Sequence, residues 1–458
     1  MRKWSPLIAV CLGTFLLLVD VTIVVVALPA IAGKFHATYA DLQWVLDGYA
    51  LALAALLLGA GSLADRFGRR RVYLIGVLIF ALSSLLCAIA PNEQALIAFR
   101  VLQGVGGAAM FATTVALLNV TYHGHDRGVA FGVWGVVNGV AAAAGPLAGG
   151  LLTEHFGWRW IFLVNLPVCI AAAWFTIAGV AESKAPSGGR FDVPGTLTFT
   201  VAAGSLTYGL IRAGDAGWTD AGALAAFAVA VVAALAFLAA ELRSDHPMLD
   251  LSLFRRVPFS TLIAAAFLTQ AAAFGYLPYL TVWLQQILGN GPVDAGLLGA
   301  LPMAAASMLV GAFAGHALQK VKPRWSVGLG LLLIAAGDLL QARLDDASTG
   351  SALIPGLIVV GLGVGCVLPS LSSAVLAEVP RERSGMAGGA LNTFRQLGFA
   401  VGVAVFGSVF QHHAETGAFA AGLNATLRLA AVIALVAGLL VLALARHREP
   451  AAAPVPVG

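Results

Sequence analysis

Long apolar runs constrain this chain more than any other feature of its sequence. Fourteen such runs, each of about twenty residues or more, fill most of the 458 residues, and short polar segments separate them. A helix of about 20 apolar residues crosses the roughly 30 Å hydrocarbon core of a bilayer. Backbone amides in lipid must pair within the chain, so such runs predict helices. The sequence therefore predicts an all-α membrane protein with fourteen transmembrane helices.

One acidic residue, Asp20, interrupts the first run, LIAVCLGTFLLLVDVTIVVVALPAIA (7–32), and is its only ionisable residue. Its central position puts the carboxyl group near the bilayer midplane, at a cost of about 2.5–3.5 kcal/mol on insertion scales. Side chains kept at such a cost commonly bind protons, ions or charged substrates. Asp20 is therefore the first functional candidate, and we expect it to face a cleft between helix bundles.

The composition argues against a soluble enzyme or a nucleic-acid-binding protein. Hydrophobic residues make up 60% of the chain and charged residues 10%, and the mean hydropathy is +0.91. Soluble domains carry about 25% charge. Most of the 26 basic residues fall on the side of the N-terminus when the runs alternate across the membrane. The positive-inside rule then predicts a cell-membrane protein with both termini cytoplasmic.

No motif for a cofactor, a metal or a catalytic nucleophile is present. The sequence contains no nucleotide-binding loop, zinc-protease helix or nucleophile elbow. The four cysteines lie in apolar runs, where they are typical small core residues. We therefore expect neither an enzyme nor ATP-driven transport by this chain, and no cofactor or metal site.

A faint internal repeat predicts the domain organisation. A glycine followed by a basic turn ends span 2 at Gly61–Arg71, and a similar pattern ends span 10 at Gly315–Arg324. A repeat offset of eight spans predicts two six-helix bundles separated by two inserted helices, and such bundles commonly flank a midplane transport site. The predicted divisions are 1–182 for spans 1–6, 183–256 for spans 7–8 and an amphipathic cytoplasmic linker, 257–447 for spans 9–14, and a disordered tail at 448–458.

The loop GSLADRFGRRR (61–71) is the most specific pattern in the chain. Its glycines permit a tight turn, and its arginines can anchor the loop to the inner leaflet. The order Gly-x-x-x-Asp-Arg-x-Gly-Arg resembles the signature loop of the major facilitator superfamily. The resemblance implies that fold and a cytoplasmic gating loop built on Gly61, Asp65, Arg66, Gly68 and Arg69.

Other segments resemble the fourteen-span drug:proton antiporters of that superfamily. They are DVTIVVVALP (20–29), RVLQGVG (100–106), GPLAGG (145–150), WRWIFLVNLP (158–167) and NTFRQLG (392–398). The resemblance implies proton-coupled export of small amphipathic, cationic drugs by alternating access. One departure is Val25, where the family often has asparagine.

Three groups of candidate residues follow from these motifs and from the polar residues within the spans. For proton coupling or cation binding they are Asp20, Arg100, Asp47 and Asp338. For the substrate cleft they are Thr22, Gln103, Asn138, Asn392, Arg395 and Gln396. For a hinge in the antiporter motif they are Gly145, Pro146, Gly149 and Gly150, since proline kinks a helix.

Several alternatives stay open at this point. The sequence is also compatible with the exporter of a dedicated metabolite or antibiotic, with a solute/proton symporter, and with a non-transporting membrane sensor or scaffold. The midplane carboxylate and the polar helix face formed by Asn392, Arg395 and Gln396 favour a transporter over a sensor or scaffold. The expected partners are protons, lipophilic cationic or amphipathic small molecules and the lipid bilayer, and a monomer is expected.

Overall fold

The computed structural model describes residues 2–184, 192–244, 247, 249–311, 321–345, 347–379, 384–414 and 418–445. Some side chains within these ranges, including those of Asp65 and Asn138, lie outside what the structure describes, as does the predicted tail. The described residues form helices joined by turns. The predicted all-α architecture is confirmed for this part of the chain.

The helices follow the apolar runs, and several runs are divided into two shorter helices. In chain order the helices are α1 (Ser5–Phe35), α2 (Tyr39–Phe67), α3 (Arg69–Ala88), α4 (Glu93–Thr121), α5 (Gly124–Phe156), α6 (Trp160–Leu163), α7 (Asn165–Gly179), α8 (Val193–Ala216), α9 (Ala221–Arg243), α10 (Val257–Phe274), α11 (Leu277–Val282), α12 (Pro292–Gly299), α13 (Leu301–Leu309), α14 (Pro323–Gln341), α15 (Ile354–Ala377), α16 (Ser384–Ala414) and α17 (Phe419–Leu444).

Twelve segments of the described chain are long and apolar enough to cross a membrane. Helices α5 and α8 are long, with 33 and 24 residues, but they are not among the twelve. In α5 the side chains of many residues lie outside the part of the chain that the structure describes, and in α8 the glycines and threonines lower the hydropathy. The predicted count of fourteen spans is therefore not confirmed, although the multi-pass membrane architecture is.

The surface of the helix assembly is apolar, as a lipid-facing surface must be. Large hydrophobic side chains are exposed on several helices, among them Trp174 at 69% and Val232 at 66%. The interior also contains fully buried polar residues, including Asp20, Asp47 and Asp338 at 0%. Polar groups placed inside while apolar groups face outward are typical of a protein that functions in a bilayer.

The helices form two groups with a pair between them. In the first group α1 packs on α5 and α7, while α4 packs on α2 and α3. In the second, α14 packs on α15 and α17, and α10 packs on α16 and α17. The groups meet where α2 contacts α16, and where α5 contacts α12 and α13. Helix α8 pairs with α9 and also contacts α2 and α16, so the inserted pair bridges both bundles.

The two ends of the assembly can be told apart by their contacts. At the end where α1 begins, called the N-terminal face, the hydroxyl of Tyr122 at the end of α4 donates to Lys3 O at 2.9 Å. At the opposite end, called the distal face, the start of α2 lies beside the end of α16, where Tyr39 and Phe410 stack edge to face with centroids 6.1 Å apart. Helices α1 and α4 are therefore antiparallel, as are α2 and α16.

The span 257–287 is a broken helix. Helix α10 ends at Phe274, and α11 begins at Leu277 with Pro278 in its first turn. Proline has no N–H to donate to the preceding turn, which explains the break. The segment Trp283–Ile287 then continues as a π-helix, in which Leu288 N donates to Trp283 O at 3.1 Å. Single π-turns of this kind are frequent at functional sites.

The amphipathic linker that the sequence predicts before span 9 contains little helix among its described residues. Among its described residues only Leu251–Arg255 is helical, as a short 3-10 turn. Leu249 and Leu253 are buried at 3% and 2% exposure. Leu249 N also donates to a Glu241 carboxylate oxygen at 2.9 Å. The apolar side of the linker therefore packs onto the protein rather than onto lipid alone.

Close packing between α3 and α4 depends on glycine, which gives a test of the fold. A Cβ on Gly106 would lie 2.6 Å from Phe80 N and 2.8 Å from Gly76 O, which are backbone atoms that cannot move aside. A Cβ on Gly204 in α8 would meet nothing within 4 Å. We expect Gly106→Ala to destabilise the protein by about 1–3 kcal/mol through overpacking, measured by thermal unfolding in detergent.

The matched control is Gly204→Ala. It should leave the unfolding temperature unchanged or raise it, because alanine is a better helix former than glycine. Equal behaviour of the two variants would contradict the described contact between α3 and α4.

Candidate functional site

Asp20 forms a buried ion pair with Arg100. Arg100 Nη1 lies 2.5 Å from Asp20 Oδ2, and the two side chains are 1% and 0% exposed. Helix α1 supplies the carboxylate from the middle of its length, and α4 supplies the guanidinium from its third turn. A buried charge is costly unless it is paired and hydrogen-bonded, and this pair meets both conditions.

Two amides complete the hydrogen bonding of the Asp20 carboxylate. Gln103 Nε2 donates to Asp20 Oδ1 at 2.9 Å, and Asn165 Nδ2 donates to the same oxygen at 3.0 Å. Both amides also donate to Ser84 Oγ, at 2.9 Å and 3.3 Å. Donors on α4 and α7 therefore converge on one carboxylate and satisfy its second oxygen.

Arg100 is fixed from the other side by α2. Its Nε donates to Val45 O at 3.0 Å, and its guanidinium carbon lies 4.4 Å from the centroid of the Tyr49 ring. Its Nη1 also donates to Gln103 Oε1 at 2.6 Å. The expected pairing of Arg100 with a carboxylate is thus present in the structure. The expected orientation of Asp20 is not, because Asp20 lies inside the first bundle rather than on its cleft surface.

Asp47 differs from Asp20 in its supply of hydrogen-bond donors. It is fully buried on α2, and neither carboxyl oxygen has a hydrogen-bond partner among the described residues. The side chain of Gln43, one turn away on α2, and the hydroxyl of Tyr279 on α11 approach the same point of α16, at Gly407. Asp47 follows Gln43 by four residues and therefore lies on the same side of α2. The acid therefore lies at the boundary between the two bundles.

Contacts around Gly407 close this boundary toward the distal face. Tyr279 donates from its hydroxyl to Val403 O at 2.6 Å. A Cβ on Gly407 would overlap Gln43 Nε2, at 1.7 Å, and crowd the Tyr279 hydroxyl. Gln43, Tyr279 and Val403 also line a small cavity. Only glycine lets α2, α11 and α16 approach so closely.

Asp338 is the third buried acid, and it lies within the second bundle. It is 0% exposed on α14, and neither carboxyl oxygen has a hydrogen-bond partner of standard geometry among the described residues. The hydroxyl of Tyr276, at the break between α10 and α11, lies close to it and accepts from Gln341 Nε2 at 3.3 Å. No ion pair joins Asp338 to Arg343 in the described part of the chain. The three acids thus occupy three separate environments.

The glycines of the antiporter-like motif hold α5 between α1 and α12. A Cβ on Gly145 would lie 1.8 Å from Thr22 Oγ1, and one on Gly149 would lie 2.8 Å from Ile23 O, so one side of α5 fits closely against α1. A Cβ on Gly150 would lie 2.7 Å from Val293 Cα on α12. Pro146 is inside α5 without ending it, and its carbonyl oxygen approaches α12.

Hydrogen bonds between the bundles are found from mid-depth to the distal face. Gln285 Nε2, in the π-helix, donates to Val26 O at 2.8 Å. Val293 N, at the start of α12, donates to Glu154 Oε2 at 3.2 Å. Thr393 Oγ1 donates to Ala54 O at 3.2 Å near the middle of α2. The bundles are thus joined at the distal half.

The halves nearer the N-terminal face are less closely packed. A Cβ on Gly61, near the end of α2, would meet nothing within 4 Å, and the same holds for Gly388 near the start of α16. These two helices contact each other closely at Gly407, toward their opposite ends. The boundary between the bundles is therefore closed distally and looser toward the N-terminal face.

The signature loop is fixed by an acid from the end of the first bundle. Gly68 has φ of +115°, a conformation that favours glycine, and separates α2 from α3. Glu182 accepts from Arg70 N at 3.1 Å and from Arg71 N at 3.2 Å, so it caps the start of α3. Arg69 N donates to Ser183 O at 3.0 Å.

The remaining loop candidates are placed as follows. Arg66 lies over the ring of the adjacent Phe67, with the guanidinium carbon 5.3 Å from the centroid. The side chain of Asp65 is outside the described residues. The role of the loop as a gate stays a prediction.

The structure places the predicted cleft residues in different parts of the protein. Gln103 belongs to the Asp20 network, and Thr22 Oγ1 donates to its own helix at Leu18 O and Val19 O, both at 3.2 Å. On α16, Asn392, Arg395 and Gln396 are partly buried, and Asn392 Nδ2 donates to Gly388 O at 3.1 Å. The side chain of Asn138 lies outside the described residues.

Sequence reasoning missed two members of the buried network. Asn165 and Ser84 bind in the Asp20 network. Both are uncharged polar residues within apolar runs. A search for amides and hydroxyls at the depth of Asp20 would have found Asn165 and Ser84, whereas their convergence on Asp20 follows only from the packing of α1, α3 and α7.

The buried ion pair can be tested by a double-mutant cycle. Asp20→Asn leaves Arg100 as a buried charge without a counterion, which should destabilise the protein by roughly 3–5 kcal/mol. Asp20→Asn combined with Arg100→Gln removes both charges and should cost less than the sum of the single variants. Thermal unfolding in detergent measures each difference.

The control is Asp220→Asn, which breaks the exposed pair between Arg212 and Asp220 (2.8 Å). That variant should change stability little, because exposed ion pairs are screened by solvent. Additive effects of the Asp20 and Arg100 substitutions would show that the two residues do not interact as described.

Comparison with known proteins places the chain in a family. The sequence profile of the Major Facilitator Superfamily matches residues 10–403. The multidrug resistance protein Stp of Mycobacterium tuberculosis is 37% identical over 404 residues, covering 88% of this chain and 75% of Stp. The methylenomycin A resistance protein of Bacillus subtilis is 34% identical over 457 residues, covering 98% and 96%. The tetracenomycin C resistance and export protein of Streptomyces glaucescens is 36% identical over 408 residues, covering 89% and 76%.

Solved structures support the same fold. A POT family transporter bound to a thioalcohol-conjugated peptide aligns with a TM-score of 0.71 at 12% identity, covering 96% of each chain. The human organic anion transporter MFSD10 aligns with a TM-score of 0.67 at 18% identity, covering 96% of this chain and 100% of MFSD10. The predicted family is thereby confirmed, and the helices, the buried charges and the sequence matches agree: the chain belongs to the Major Facilitator Superfamily, among its drug efflux and resistance transporters, and is not an enzyme.

Proposed function

We propose that this protein exports small amphipathic compounds across the cell membrane in exchange for protons. The observation that carries the proposal is Asp47, a fully buried acid at the boundary between the two bundles whose carboxyl oxygens find no hydrogen-bond partner among the described residues. Antiport requires a group that takes up a proton in one conformation and releases it in another. An acid at a surface that opens and closes meets this requirement.

Asp47 carries the proton in the conformation described here. A carboxylate in an apolar site without partners is costly, whereas the neutral acid is not. Opening of the distal boundary would connect Asp47 to external water, from which it takes up its proton. Access of cytoplasmic water to Asp47 would then lower the cost of its ionised form and release that proton inside. The proton gradient then contributes about 2.3 kcal/mol per charge for each 100 mV, in addition to the pH term.

Asp20 takes part in the same cycle through Arg100. The pair is stable while Asp20 is ionised, and a proton on Asp20 would remove the charge that holds Arg100. Because Arg100 also binds Val45 O on α2, its release would loosen α2 against α4. Helix α2 carries Asp47, so the two acids are linked through one helix. Asp338 is the remaining candidate for a coupled proton.

The proposal also covers the orientation of the chain in the membrane and its number of spans. Both termini are cytoplasmic, and α5 and α8 also cross the membrane, giving fourteen spans. Glycine-rich spans can cross when they pack closely against neighbouring helices, as α5 does against α1 and α12. With this orientation the loosely packed N-terminal face is cytoplasmic, and the conformation described here faces inward.

The charge of the substrate is not fixed by Asp20. The sequence predicts cationic compounds on the basis of a free midplane carboxylate. In the structure the charge of Asp20 is neutralised by Arg100, so a cation would have to displace a guanidinium held by several contacts. The names of the relatives include multidrug resistance and resistance to single antibiotics, which supports drug-like substrates of varied chemistry.

Asp47→Asn tests the proton-binding role. The variant keeps the shape of the neutral acid but cannot ionise, so efflux driven by a pH gradient in proteoliposomes should fall at least tenfold. Exchange of labelled for unlabelled substrate without a gradient should continue, because that exchange needs no proton release. Dye fluorescence and radiolabel exchange measure the two rates.

Glu93→Gln is the control for this experiment, since Glu93 is an acid in the first turn of α4 that bonds the adjacent Gln94. It should leave both rates unchanged. Gradient-driven efflux by Asp47→Asn at the rate of the unmodified protein would refute a proton-binding role for Asp47.

Asp20→Asn tests the second acid. In inverted membrane vesicles this variant should abolish pH-driven efflux of a fluorescent dye, because the Asp20–Arg100 pair can no longer form and break with protonation. Immunoblotting of the membrane fraction checks that the variant still inserts. Survival of dye movement with its normal pH dependence would exclude Asp20 from the coupling.

A further inference from the structure

Arg395 is a charged side chain within the membrane-spanning part of α16, and the described residues supply no partner for it. It is partly buried, and its Nε is a buried atom without a hydrogen bond. Among the described residues it forms no ion pair. Arg100, in contrast, has a carboxylate, two carbonyl-type acceptors and an aromatic ring around it. An unpaired guanidinium at this depth is costly and commonly marks a binding site.

The contacts of α16 show which way Arg395 faces. Thr393 contacts α2, Gly398 contacts α10, and Ser408 contacts α8. At 100° per residue, Arg395 lies on the part of α16 between the α2 and α10 contacts and away from the α8 contact. Asn392 lies one turn earlier on that same part. Both polar side chains therefore face the boundary between the two bundles.

The charges around this boundary do not cancel. Asp20 is neutralised by Arg100, and Asp338 lies inside the second bundle beside Tyr276. Asp47 is at the boundary, and under the proposed function it carries a proton in this conformation. Arg395 is then the uncompensated charge at the boundary among the described residues. The potential there is positive, which disfavours a cation and favours an anion.

We infer that Arg395 recognises an anionic group of the transported compound. The substrate class is a weak organic acid with an apolar body, bearing a carboxylate, enolate or phenolate. Guanidinium is suited to this role, because its planar N–H donors can pair with two oxygens at once. Asn392 Nδ2 is used by Gly388 O, which leaves the Asn392 carbonyl oxygen for a hydroxyl of the substrate. This inference rests on the proposed function for the charge of Asp47 and replaces the sequence-based expectation of cations.

A pair of dyes with the same ring system and opposite charge tests the inference. Fluorescein is anionic and rhodamine 123 is cationic, and both can be followed by fluorescence polarisation with the purified full-length protein in detergent. The unmodified protein should bind fluorescein. Arg395→Gln should raise the Kd for fluorescein at least tenfold, because it removes one charge-assisted interaction. Its Kd for rhodamine 123 should be unchanged or lower.

Two further variants separate recognition from folding. Arg395→Lys keeps the charge without the planar fork, and should bind fluorescein better than Arg395→Gln. Arg343→Gln makes the same chemical change at an exposed arginine just beyond α14, and should leave both Kd values unchanged. Equal weakening of both dyes by Arg395→Gln, or preference of the unmodified protein for rhodamine 123, would overturn the inference.

Flux measurements distinguish failure of the anion-site inference from failure of the proposed proton antiport. Binding of fluorescein that depends on Arg395, without any pH-driven flux in proteoliposomes, would support the anion site and refute proton antiport. A pH-driven flux of rhodamine 123, with no fluorescein binding that depends on Arg395, would support antiport and refute the anion site.

Discussion

The ion pair between Asp20 and Arg100 organises the first bundle. Taking both charges out of water is costly, so the fold must supply the pair itself and donors for the remaining carboxylate oxygen. Amides from α4 and α7 and a carbonyl from α2 meet at this point. Sliding any of these helices by one residue would leave a buried charge without its partners. The pair therefore constrains the relative register of α1, α2, α4 and α7.

The three buried acids show that residue type alone does not define a role. Asp20 accepts from a guanidinium and two amides, whereas the described residues offer no such donors to Asp47 and Asp338. An acid fully satisfied as a carboxylate responds to protons by breaking contacts. An acid without donors responds by acquiring water when its surroundings open. A transporter that combines both kinds can link proton binding to movement of its helices.

The boundary between the bundles has to pack closely and still separate. Glycines at Gly149, Gly150 and Gly407 allow backbone contact without interlocking side chains, and few hydrogen bonds cross the boundary among the described residues. Contacts of this kind can be lost on one side of the membrane and formed on the other at modest cost. Arg395 and Asp47 lie along the same boundary, so a bound compound and a proton would both be sensitive to its opening.

The sequence by itself determined the helical membrane architecture, the family and the identity of most charged residues in the spans, because lipid permits few backbone structures and penalises every buried charge. The tertiary structure decided how those charges are used. It paired Asp20 with Arg100 and left Asp47 and Arg395 without partners among the described residues. It also added Asn165 and Ser84, which carry no charge and are therefore not conspicuous in an apolar run. Which side chains pair depends on which helices meet at the same depth in the membrane, and the order of residues along a single helix does not contain that information.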